Sequence, residues 1–175
     1  PDSARYLISA VGSDIQTIFN ELEKLCAYKE NGEITRADVD TLAVKSLQAR
    51  VYDLSKYILK GDSEGAYGVL SVLFAQKEEA IAILSVISSC YIDMYRVKCA
   101  KAANVNENEL SKYFSYKGRE FLIRNAARDC RGISFEGLRY ALDVLAQADE
   151  TMKSTAVDKN ILLEETVAKL LRGVR

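Results

Sequence analysis

After its first residue this chain contains no proline: the single proline among 175 residues is Pro1. Proline lacks a backbone donor and clashes with the preceding helical turn, so it is the strongest local veto on helix. The turns of β-rich and loop-rich folds draw on it repeatedly. From Asp2 onward nothing of that kind interrupts helix, and the expected fold class is all-α. With 49% hydrophobic and 28% charged residues the chain has the balance of a folded protein rather than a disordered tail. Its length allows one large domain or two small ones.

Apolar spacing places the helices. Gly12-Ser13-Asp14-Ile15-Gln16 reads as a helix start, with Ser13 at the N-cap and Gln16 three residues on in a capping box. Ile15, Ile18, Phe19, Leu22, Leu25 and Cys26 then recur as one core-facing stripe, and Asn31-Gly32 ends the run. Ala4, Leu7, Ile8 and Val11 predict a short helix before it. Thr35 as N-cap with Asp38 at N3 predicts a third, carrying Val39, Leu42 and Ala43. Periodicity is weak over 43–49, the expected linker. The expected domains are therefore 1–45, a three-helix bundle, and 46–175.

In the second domain, Val51, Leu54, Tyr57 and Ile58 precede a stop at Gly61-Asp62, and a helix from Ser63 carries Ala66, Val69, Leu70, Leu73 and Phe74. A long helix reaching Ala103 holds Ile81, Ile83, Leu84, Val86, Ile87, Cys90, Tyr91, Met94, Tyr95 and Val97, too wide an apolar face for a surface helix. Ser85, Ser88, Ser89, Asp93, Arg96 and Lys98 interrupt it, which argues against a membrane span. Asn106 opens a short helix and another spans 117–130. Ser134 caps the next, with Leu138, Ala141, Leu142, Leu145 and Ala148 inward. The last spans 158–172, with Ile161, Leu162, Thr166, Ala168, Leu170 and Leu171 as apolar positions.

Chemistry is sparse. The chain has no histidine, which excludes a mixed Cys/His zinc site and a His-based triad. Cys26, Cys90, Cys99 and Cys130 form no CxxC pair and read as small buried thiols of a reducing cytosol. No G-x-x-x-x-G-K-[ST] phosphate loop is present. The carboxylates fall on solvated faces, so no catalytic, cofactor or metal residue is expected. A formal net charge of −1 with scattered Lys and Arg supplies no drive toward nucleic acid or anionic membrane. Tyr91, Tyr95 and Tyr140 lie on apolar stripes and are expected in the core. The start has no signal-peptide pattern and opens partway into a helical one, so the chain reads as a piece of a longer protein.

Several runs resemble one family in order along the chain. Asp14-Ile15, Asn20-Glu21-Leu22-Glu23-Lys24-Leu25, Ile34-Thr35 and Asp38-Val39 look like the lid of the bacterial DNA polymerase III delta subunit, a clamp-loader component. Val51-Tyr52-Asp53-Leu54, Gly61-Asp62, Ile83-Leu84, Val97-Lys98, Ala141-Leu142, Leu145, Asp149, Lys153, Asp158 and Leu163-Glu164 continue the likeness. The resemblance implies an AAA+ lid followed by a helical collar that joins clamp-loader subunits, delta-prime and gamma/tau, into a ring. The domain that grips the sliding clamp would precede Pro1, and DNA would be met only within the assembly.

In clamp-loader ATPases the lid helix opens on a G-D-M-R-like sequence whose Arg reaches the nucleotide. Here Gln16 stands at that position, and a neutral amide cannot stabilise a transferring phosphoryl group. The resemblance thus implies a cytoplasmic, non-hydrolysing subunit of the polymerase holoenzyme. Asp149, Lys153 and Asp158 are the candidate interface residues, although Asp149 and Lys153 at i,i+4 also fit an exposed helix ion pair. Two other readings stay open: a helical adaptor unrelated to replication, and a helical enzyme domain whose signature would be a deep carboxylate-lined pocket.

Overall fold

The computed structural model describes residues 2–29, 31–116 and 119–173, and all regular structure among them is helical. The chain divides into two compact units, one up to Arg50 and one from Val51. The first holds α1 (Asp2–Val11), α2 (Ile15–Tyr28) and α3 (Arg36–Leu42). Its core is Leu7, Ala10, Val11, Leu25 and Val39, with Tyr6, Ile18, Ile34, Leu42 and Ala43 packed around it.

The caps explain where these helices start. α2 is capped by Asp14, not Ser13: the Asp14 carboxylate accepts from the Thr17 N–H at 2.8 Å and from the Thr17 hydroxyl at 2.7 Å. A carboxylate at a helix start also meets the positive end of the dipole, an advantage Ser13 lacks. Those Thr17 bonds hold the Asp14 carboxyl below its usual range. Gln16 takes no part in the cap; its amide donates to Asn20 at 3.0 Å on the exposed surface. α2 stops at Tyr28, earlier than Asn31-Gly32, and Gly32 serves the following turn with φ +110. The Thr35/Asp38 capping box of α3 is complete, as expected. Lys29 adds an ion pair to Asp38 at 2.6 Å, tying the end of α2 to the start of α3. That bond, ahead of those from Thr35, pulls the Asp38 carboxyl down to about 2.

The non-helical connector is only 43–46, because α4 (Leu47–Lys60) begins inside the expected linker and carries the chain past the division at 50/51. In the first unit the Ser46 N–H donates to the Ala10 carbonyl at 2.8 Å, which pins the connector to the end of α1.

The second unit continues with α5 (Ser63–Ala75), α6 (Ala80–Ala102), α7 (Leu110–Tyr113), α8 (Glu120–Asp129), α9 (Phe135–Ser154) and α10 (Lys159–Gly173). Asp62 caps α5 and Ser134 caps α9, each accepting from the backbone three residues on. Gly65 is required by the close approach of the Tyr57 ring, which a Cβ would meet at 2.3 Å. Residue 117, the expected start of α8, lies outside the described residues.

As expected, α6 is the central helix, packed against α8, α9 and α10. By length and composition alone α6 is also long and apolar enough to cross a membrane. Ile83, Leu84, Ile87, Tyr91, Met94 and Val97 are instead buried by neighbouring helices. Asp93, buried on the same helix, accepts a hydrogen bond from the Tyr116 hydroxyl. Arg96 joins that pair, 3.0 Å from the Tyr116 oxygen and 3.9 Å above the Phe114 ring. This cluster fastens the segment after α7 to α6, and burial raises the Tyr116 hydroxyl's pKa.

Burial expectations fail at several positions, Ile8 of α1 among them, which is 45% exposed. Tyr140 is 40% exposed on α9, with its hydroxyl 3.5 Å from the Lys169 carbonyl of α10. Ile161 is exposed, and the core of α10 is made by Leu163, Thr166, Val167 and Leu170. Cys26 and Cys99 are exposed, Cys90 is half-buried and Cys130 buried. All four are free thiols. Burial pushes the Cys90 thiol up to about 12.

Candidate interaction surface

The six apolar positions of α2 do not share one environment. Leu25 is fully buried and Ile18 packs partly against the first-unit core. Ile15 is 82% exposed, Phe19 59% and Leu22 37%, and Cys26 is exposed as well. At 100° per residue, positions 15, 19, 22 and 26 fall along one narrow line, turned about a quarter of a circle from Leu25. A three-helix bundle of this size offers α2 two neighbours, enough to cover one edge of its apolar sector. The other edge is a continuous apolar stripe. The signal in the sequence was the width of the stripe, six apolar positions on a helix with so little domain around it.

Glu21 lies on the buried side of α2 and works differently. Its carboxylate accepts from the Val44 N–H at 3.2 Å and pairs with Lys24 at 2.6 Å. It holds the connector against α2 by accepting from the backbone of the exposed Val44. The run Asn20-Glu21-Leu22-Glu23-Lys24-Leu25, read in sequence for its likeness to a family, therefore combines a bracing acid, a core leucine and an exposed one.

The predicted interface residues sit at the corner between α9 and α10. Asp149 and Lys153 form an exposed i,i+4 ion pair at 2.6 Å. Asp158 caps α10, accepting from the Asn160 and Ile161 N–H groups at 2.9 and 3.2 Å. Both arrangements are explained within the chain. Val157 and Ile161 stand exposed at the same corner, which the sequence pattern had not marked as surface.

Two depressions mark the surface of the second unit. One, of about 370 Å³, is lined by Lys98, Lys101, Ala102, Cys130, Arg131 and Phe135. Lys98 donates to the Cys130 and Ile133 carbonyls just beyond α8, and Lys101 to that of Ala127 within it, so both ammonium groups are occupied. The other, of about 430 Å³, is lined by Ser111, Lys112, Tyr113, Phe114, Ser115 and Arg119. Neither lining includes a carboxylate, so neither has the acid–base pair that the helical-enzyme reading requires. Among the described residues no group of three Cys, Asp or Glu side chains is placed to hold a metal ion.

The fold and surface define an all-α chain of two units with an apolar helix edge left open. Residues 48–170 match the family described as DNA polymerase III delta subunit, C-terminal domain, and the chain belongs to that family. It is 28% identical over 172 residues to DNA polymerase III subunit delta of Bacillus subtilis (strain 168), a match covering 98% of this chain and 49% of that protein. It is also similar to the solved structure of the Bacillus subtilis DNA clamp loader delta protein (YqeN), with a TM-score of 0.81 and 28% identity over 98% of this chain and 50% of that one. The chain thus spans about half the length of the curated relative it matches.

Proposed function

We propose that this chain is an assembly portion of a clamp-loader delta subunit, with residues 1–45 as the AAA+ lid and 46–175 as the collar. The observation that carries the reading is the likeness to a clamp-loader delta protein, which runs through both units and 98% of the chain. In this reading the collar seats delta beside delta-prime and gamma/tau in a cytoplasmic ring. The lid relays ring rearrangement to a clamp-gripping domain outside this chain. The sliding clamp and DNA are met only through the assembly, which loads the clamp during replication as part of the polymerase holoenzyme. The α9–α10 corner, with Asp149, Lys153 and Asp158 beside the exposed Val157 and Ile161, is the proposed collar contact. Family membership displaces the unrelated-adaptor reading.

The chain contributes no chemistry in this scheme. Gln16, held by Asn20, has no charge to offer a nucleotide phosphate. The test is reconstitution. The purified chain mixed with the other clamp-loader subunits is expected to co-elute with them in size-exclusion chromatography and to hydrolyse no ATP by itself. Failure to co-elute at concentrations where the full-length subunit does, or ATP turnover by the chain alone, would overturn it.

A further inference from the structure

We draw no further inference here: the strongest candidate, the depression after α7 lined by Lys112, Tyr113, Phe114 and Arg119, runs along a segment whose residues 117 and 118 lie outside the described ones, and nothing in the structure shows what covers its exposed rings.

Discussion

Glu21 and Lys24 sit one turn apart on α2, and in sequence they look like any solvated helix pair. The structure gives Glu21 a second task, because its carboxylate also accepts the Val44 N–H from across the connector. Val44 is exposed, so water can replace the lost acceptor in Glu21→Ala, and the cost should be that of one ordinary hydrogen bond, about 0.5–1.5 kcal/mol. Amide exchange at Val44 should accelerate by about an order of magnitude, with α6 amides unaffected; an unchanged Val44 rate would show that the bond does not brace the connector. Asp38 yields a pH prediction. Its carboxyl lies at about 2 against an ordinary value of 3.8, because Lys29 and the Thr35 cap favour the ionised form. The stabilisation is therefore fully present above the ordinary value and is lost as pH falls through the folded one. First-unit stability, followed by denaturant titration between pH 5 and 2, should decline in that window, and Asp38→Asn should flatten the decline.

At the scale of elements, α2 and α6 show what could and could not be read from the sequence. Caps are local, so Thr35 with Asp38 and Ser134 were legible from residue type and spacing, whereas Asp62, read as part of a stop, proves to be the cap of α5. The displaced cap of α2, Asp14 for Ser13, turned on Thr17 offering two donors to a carboxylate. Burial depends on what lies across the interface, and periodicity does not carry that. The same kind of pattern is core on α6 and half open on α2, and Cys26, Tyr140 and Ile161 were misplaced for that reason. Glu21 was illegible because its partner is 23 residues away, on a connector without periodicity. The contrast is measurable by substitution. Ile87→Ala on α6 removes a fully buried side chain and should cost about 2–5 kcal/mol in urea unfolding. Phe19→Ser on α2 should change the stability of this chain by no more than about 0.5 kcal/mol. A large loss at Phe19 would mean that the stripe is packed within the chain itself.

For the whole molecule, the two units are unequal in what holds them. The first unit's core consists of five buried side chains, whereas the second buries Tyr91, Leu84, Ile87, Leu138, Leu145, Met152 and many more around α6. Cores of domains below about 70–80 residues rarely supply more than about 3–5 kcal/mol. The amides of α1–α3 should therefore lose exchange protection at lower denaturant than those of α6 and α9. A fragment of residues 46–175 keeps the Ser46 carbonyl that accepts from the Arg50 N–H, and with it the start of α4. It also contains the whole of the family match, 48–170. That fragment should unfold cooperatively, with a midpoint within a few degrees of the later transition of the whole chain, a shift equivalent to about 1 kcal/mol or less. A fragment that fails to fold, or a single coincident transition for all helices of the intact chain, would mean that the small bundle is part of what stabilises the larger one.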